Sequence, residues 1–248
     1  MVSQTRVGEN WRQLQQELEQ EQKGPGAGSR RKMQRKRGKL AKTPDQPSTS
    51  TPGKKENDEV GRCVGLDCEY VGVGKEGKED MLARVSVVNG AGDVLLNVYV
   101  RPSERVTDFR TQVSGIRPSL LTQQGAKSFQ EVQKEVADLM QGRKVVGHAL
   151  HNDFKVLKLS HPRRLTRDTA RYEPFRAMLG QKHPSLQKLA ERVLGVGIQR
   201  GEHDSVADAR IAMQLYQMHR RQWEDQLRKN KLPPKKKGKK KVERKVLK

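Results

Sequence analysis

Three apolar runs of strand length, packed into about forty residues and separated only by turn-forming segments, set the first constraint on this fold. They are RCVGLDCEYVGV (62–73), MLARVSVVN (81–89) and DVLLNVYVRP (93–102). The links VGVGKEGKED and NGAGD are short and glycine-rich, which predicts consecutive, antiparallel neighbours. The lysine and glycines of GVGKEG lack the phosphate-loop pattern, and no helix follows them, so this stretch is a hairpin turn. From Ser128 the rhythm changes to alternating helix and strand. SFQEVQKEVADLMQG (128–142) is an amphipathic helix with Ser128 as N-cap, Glu131 at the capping-box position and Gly142 at its end. KVVGH (144–148) is a buried strand, LHNDFKVLKL (150–159) a helix and RRLTRDT (163–169) a further strand. SLQKLAERVLG (185–195) and the long DSVADARIAMQLYQMHRRQWEDQL (204–227) are helices. Their core positions are Leu186, Leu189, Val193, Ile211, Leu215 and Met218. Antiparallel strands followed by alternation predict an α/β domain with a mixed central sheet flanked by helices. No internal repeat is evident.

Charge separates this domain from its ends. Residues 1–60 carry 13 Lys/Arg against 8 acids and residues 228–248 carry 12 against 1, leaving 26 against 20 for residues 61–227. ENWRQLQQELEQEQ (9–22) predicts a transient helix, because Trp11, Leu14 and Leu18 form only a narrow stripe. Residues 23–60, dominated by Pro, Gly, Ser, Thr and basic residues, predict disorder. The chain thus divides into a disordered basic N-terminal tail (1–60), a folded domain (61–227) and a basic C-terminal tail (228–248). A formal charge of +22 implies an anionic partner, for which nucleic acid is the natural class, and the tails suit a nuclear or nucleolar address. Cys63 and Cys68 lie five apart on one strand, hence on opposite faces, and cannot bridge. That usage fits a reducing compartment. No run approaches the ~18 apolar residues of a membrane helix and the N-terminus lacks a signal-peptide core, so a soluble intracellular protein without a membrane role is expected, as a monomer.

Against this background two acids stand out. Asp67 and Glu69 interrupt the first apolar run at i and i+2, so both leave a strand by one face. Unpaired burial of two carboxylates is costly; either the strand is an exposed edge or something positive binds there. Two further segments supply candidates. In VVGHALHNDFKVL a strand runs into a helix whose first turn holds Asp153. In GEHDSVADARIAMQLY, Asp208 shares the i, i+3, i+4, i+7 face of Ile211, Ala212 and Leu215, which puts an acid on a buried stripe. His203 precedes that helix, and Asp204 or Ser205 caps it. Four converging carboxylates need cations. Hard oxygen donors without a cysteine or second histidine select Mg²⁺ or Mn²⁺ over zinc. Two such ions suit in-line displacement at a phosphodiester, with His203 taking a proton from the attacking water. His148 at a strand end reads as structural, and Asp168 as ordering the turn after a strand.

The ordered set GLDCEYVG, VGHALHNDF and HDSVADAR resembles the three motifs of the DEDDh superfamily of 3′→5′ exonucleases, the spacing from His203 to Asp208 marking the histidine branch. LDCEYVGVG, QVSGIRP, VVGHALHNDFKVL and RDTARYEPF are similar to the RNA exonuclease 4 group within it. The resemblance covers residues 61–222 and implies a ribonuclease-H-like fold. It further implies that Asp67, Glu69 and Asp208 hold one metal ion, that Asp67 and, through water, Asp153 hold a second, and that His203 is the general base. VSGIRPSLL (113–121) resembles a loop-helix that packs on the terminal nucleotide, marking Ile116 as a substrate contact, with a core position beneath the loop as the alternative. The implied substrate is RNA, with single-stranded DNA as a second class, and the implied setting is ribosomal-RNA processing with pre-ribosomal association in the nucleolus. A DNA repair or proofreading exonuclease, and a non-catalytic ribonucleoprotein assembly factor on the same fold, are the alternatives.

Overall fold

The computed structural model describes residues 60–197 and 201–231. The helix expected over 9–22, the disorder expected before residue 60 and all of the C-terminal tail beyond residue 231 lie outside the described residues.

One sheet organises the domain. Its strands are β1 (Cys63–Val73), β2 (Glu79–Asn89), β3 (Val94–Tyr99), β4 (Val106–Asp108), β5 (Lys144–Gly147) and β6 (Thr166–Asp168). They lie in the order β3-β2-β1-β5-β6, with β4 paired to the far end of β1. The first three strands are sequential and antiparallel, as expected, while β5 and β6 join parallel. The helices are α1 (Thr111–Ser114), α2 (Pro118–Thr122), α3 (Phe129–Met140), α4 (His151–Val156), α5 (Glu173–Leu179), α6 (Leu186–Leu189) and α7 (Ser205–Lys231).

β1 is central and covered on both faces, which explains its nearly continuous apolar run. Val64, Leu66 and Cys68 join one core with Val132, Val136 and Met140 of α3 and Val156 of α4. Cys63 joins the opposite core with Ala209, Ile211 and Leu215 of α7. The two cysteines are therefore free and on opposite faces. Gly65 sits where α7 crosses β1: a Cβ there would meet Val88 Cγ2 at 2.7 Å and the Ala209 carbonyl oxygen at 3.0 Å. The absent side chain lets the helix backbone seat on the strand. Farther along α7, Trp223 stacks on Tyr172 at 3.9 Å, and Tyr172 meets Phe175 edge-on at 4.9 Å, which pins the helix along its length.

Local signals performed as their chemistry dictates. α3 begins with the full Ser128–Glu131 capping box, and Gly142 follows it at φ 69°. Asn89 Oδ1 accepts from the amides of Ala91 and Asp93, closing the NGAGD turn. Other expectations are corrected. RRLTRDT is strand only over Thr166–Asp168, since Arg163–Leu165 forms a 3₁₀ turn. SLQKLAERVLG is α-helical to Leu189 and then widens into a π-turn over Ala190–Leu194 before Gly195 ends it. Met218, expected in the core, is 57% exposed: the buried stripe of α7 drifts past it to Trp223. Ile116, marked as a substrate contact, is 1% exposed and packs with Val71, Ala83 and Leu121 beneath α1 and α2. It is a core residue.

Candidate active site

The odd positions of β1 between Gly65 and the bulge after Glu69 face α7, which carries Asp67 and Glu69 to the helix that bears Asp208. Three contacts fix the start of α7 over the sheet. Ser86 Oγ of β2 shares a fully buried 2.7 Å hydrogen bond with Ser205 Oγ. Arg84 Nη1 forms a 2.8 Å ion pair with Asp204 Oδ1. Asp204 Oδ2 also accepts from the Ala207 amide at 3.4 Å, the capping role read from the sequence. One residue upstream, the His203 amide donates to the Val113 carbonyl at 2.7 Å, and the Arg117 guanidinium grips both oxygens of Glu202. The loop before α7 is thus strapped to α1 and α2, and the imidazole of His203 lies with Nδ1 3.7 Å from Asp208 Oδ2.

Asp153 arrives from the other side. β5 pairs with β1 only as far as Gly65 and β4 joins that edge only at Gly72, which leaves the β1 backbone between them without a strand partner there. The Asp153 carboxylate, in the first turn of α4, accepts from the Cys68 amide and the Cys68 thiol. Sequence spacing predicted the acid but not this tie to Cys68.

The result is a buried cluster of one sign. Glu69 is 6% exposed, and Asp153 and Asp208 are each 4% exposed. Burial, then Asp208, Asp153 and Glu69 in that order, pushes the Asp67 carboxyl well above the ordinary carboxylate range. Burial and Asp208 raise Glu69 to about 9, against the pull of Arg84, its cross-strand partner. Burial raises Asp153 to about 7, although its bonds from Cys68 work in the other direction. Donor atoms of Glu69, His203 and Asp208 lie within 4.8 Å of one another. Glu69 Oε1 is buried without a hydrogen-bond partner. A buried oxygen with no donor, among carboxylates that repel one another, is the environment a hard divalent cation satisfies. All five expected residues therefore converge, with Glu69, His203 and Asp208 forming the tight group and Asp208 the leading charge on both Asp67 and Glu69. The residues set aside behave as read: His148 Nδ1 bonds Thr169 Oγ1 at 2.8 Å, and Asp168 accepts from the amides of Ala149 and Ala170.

Sequence reasoning missed Arg84, Ser86 and the Arg117–Glu202 strap. Each acts across a strand or loop pairing, so only the register of β2 and the path of the 111–122 segment reveal them.

The raised carboxyl values carry a stability consequence. In the folded protein these groups keep protons that the unfolded chain releases at about pH 4, so stability declines as pH rises from there towards about 9. With chelator present, the unfolding midpoint is expected to fall between about pH 5 and pH 8 and to fall less in Glu69→Gln. Divalent metal should restore the wild-type midpoint at pH 8 but not that of the variant. Calorimetry showing parallel curves for the two proteins refutes the account.

Comparison with known proteins follows this geometry. A family profile described as an exonuclease (RNase_T) matches residues 64–216. RNA exonuclease 4 of Homo sapiens is 51% identical over 167 residues, covering 67% of this chain and 39% of its own length. RNA exonuclease 4 of Saccharomyces cerevisiae is 50% identical over 167 residues, 67% of this chain and 57% of that one. The chain thus spans well under two thirds of these relatives. Among solved structures, the Pan2 RNA exonuclease module of Saccharomyces cerevisiae bound to A7 RNA superposes with a TM-score of 0.60 at 32% identity, over 72% of this chain and 31% of that one. The Pan2 catalytic unit of Neurospora crassa gives 0.58 at 27% identity, over 73% and 31%. The ribonuclease-H-like mixed sheet that the motifs imply is the architecture observed.

Proposed function

Because the chain belongs to the RNase_T exonuclease family, we propose that it is a metal-dependent 3′→5′ exonuclease that hydrolyses RNA. The observation that carries this reading is the convergence of Asp67, Glu69, Asp153 and Asp208, from two strand positions and two helices, with His203 3.7 Å from Asp208.

In this reading Asp67, Glu69 and Asp208 would hold one Mg²⁺ or Mn²⁺, and Asp67 and, through water, Asp153 would hold a second. Such ions polarise the attacking water and neutralise charge on the phosphate and on the leaving 3′ oxygen. The protein's own contribution is positioning and proton transfer. His203 Nδ1 lies 3.7 Å from Asp208 Oδ2, which places the imidazole beside the carboxylates as the proton acceptor. Burial lowers the pKa of His203, so the imidazole is neutral and ready to accept at neutral pH. The imidazole takes the proton as the water oxygen bonds to phosphorus and the bond to the 3′ oxygen breaks. The products are a nucleoside 5′-monophosphate and an RNA shortened by one residue with a free 3′-hydroxyl.

RNA as substrate is supported by the names of the curated relatives and by the RNA carried in the Pan2 structures. The strongly basic terminal segments extend the proposal to pre-ribosomal RNA in the nucleolus. The test is a 5′-labelled single-stranded RNA and its DNA counterpart, incubated with the full chain and Mg²⁺, Mn²⁺ or chelator. A ladder that shortens from the 3′ end only with metal, faster on RNA, is expected. A faster DNA ladder selects a repair or proofreading exonuclease, and uncut substrate with folded protein selects a non-catalytic assembly factor.

A further inference from the structure

The end of the sheet opposite the carboxylates is also one-sided in charge, with the opposite sign. The parallel strands β1, β5 and β6 begin there, and their first residues meet the C-terminal part of α7 around two adjoining depressions that share Lys144 and Leu165. The larger is an open hollow of about 690 Å³, and its neighbour is about 230 Å³. Arg62, Arg143, Lys144, Arg164, Arg167 and Arg228 line them, against one carboxylate, Glu224.

That carboxylate is already engaged. Glu224 accepts from Arg167 Nε and Nη2 at 2.7 and 3.0 Å and from the Tyr216 hydroxyl at 2.9 Å, with Lys144 Nζ at 3.6 Å. Arg143 is likewise committed, its guanidinium bonding the carbonyls of Gly61, Asp138 and Leu139. Arg62, Arg164 and Arg228 remain as exposed cations on the rim, Arg228 with only a 3.5 Å exposed partner in Asp225. The surrounding sequence reinforces the field: the described chain enters beside this surface at residue 60 and α7 leaves beside it, and the flanking segments 1–60 and 228–248 hold 13 and 12 basic residues.

We propose that this pole is a second nucleic-acid site, which binds the phosphodiester backbone of RNA upstream of the 3′ end held at the carboxylates. The second half of that statement rests on the exonuclease reading; the binding itself does not. A protein partner needs a large apolar or aromatic anchor at the centre of its interface, and among the lining side chains only Leu165 and Leu227 are apolar, with no aromatic ring beside them. Guanidinium forks on the rim of an open hollow match the phosphate chemistry of nucleic-acid interfaces. Arg62 and Glu69 are joined by seven residues of near-continuous strand, about 23 Å at ~3.3 Å per residue, a distance that takes several nucleotides of single-stranded RNA to cover. Long RNA reaches both surfaces and very short RNA reaches one.

The experiment combines Arg62→Ala, Arg164→Ala and Arg228→Ala in the full chain. Anisotropy of a 5′-labelled 20-nucleotide RNA is followed in chelator across a salt series, so no cleavage is required. Loss of three phosphate contacts should lower the slope of log affinity against log salt by about 2 and weaken binding about tenfold at physiological salt. With Mg²⁺, trimming of a four-nucleotide RNA should proceed at the wild-type kcat. An unchanged salt slope overturns the proposal, including when a poly-glutamate probe binds in place of RNA. Should the triple variant melt early, Arg164→Glu alone, in the exposed 3₁₀ turn, gives the same decision from a smaller change in slope.

Discussion

Asp208→Asn lowers single-turnover cleavage of RNA by more than about 100-fold while leaving the fold intact. Removing a partner that merely orients a metal ligand typically costs about 10–100-fold, so removal of a charged donor exceeds that range. The side chain is 4% exposed among apolar neighbours on α7, and asparagine preserves its shape, so packing does not change. The charge does change. Asp208 is the largest electrostatic influence on both Asp67 and Glu69, after burial itself, so the substitution relieves repulsion and the metal-free protein melts no lower than wild type. The check pairs the rate at saturating Mg²⁺ with calorimetry in chelator and a Mn²⁺ titration. Full activity, or wild-type Mn²⁺ affinity, removes Asp208 from the metal site.

His203→Ala costs about 10²–10⁴ in kcat, the range for a lost general base, with little change in KM. Its signature is in the pH profile. The wild-type rate rises as the imidazole deprotonates, and because burial lowers that pKa the midpoint of the rise lies below the ordinary imidazole value of about 6.5. The variant lacks this limb. A variant whose rate keeps the wild-type pH dependence shows that the proton goes elsewhere.

How much of this was legible beforehand follows from range. β1, β2, β3 and α7 announce themselves through period and turn chemistry, and the capping box of α3 reads directly from Ser128 and Glu131. The burial of Asp208 was legible because Ile211, Ala212 and Leu215 define its stripe over two turns. Elements of three to seven residues, β4, α1, α2 and α5, carry too little periodic signal. Ile116 shows the limit of motif reading: a motif locates a segment at the site but not which side chains of that segment turn away from it. The Arg84–Asp204 pair illustrates another limit. Its members lie on β2 and before α7, and only the pairing of Glu69 opposite Arg84 brings them to the carboxylates.

The bare backbone of Gly65 has a consequence for which ions the proposed metal site would accept. Asp67 and Asp208 stand on a strand and a helix that meet at this glycine, where an added Cβ would lie 2.7 Å from Val88 Cγ2 and 3.0 Å from the Ala209 carbonyl oxygen. The pair acts as a caliper whose stop is two residues from the jaws. Mg²⁺ demands oxygens at about 2.0–2.1 Å, whereas Ca²⁺ accepts about 2.3–2.6 Å in looser geometry. In the proposed metal site a methyl group at position 65 is therefore expected to act as a shim, opening the jaws and shifting discrimination from the smaller ion towards the larger without touching any donor.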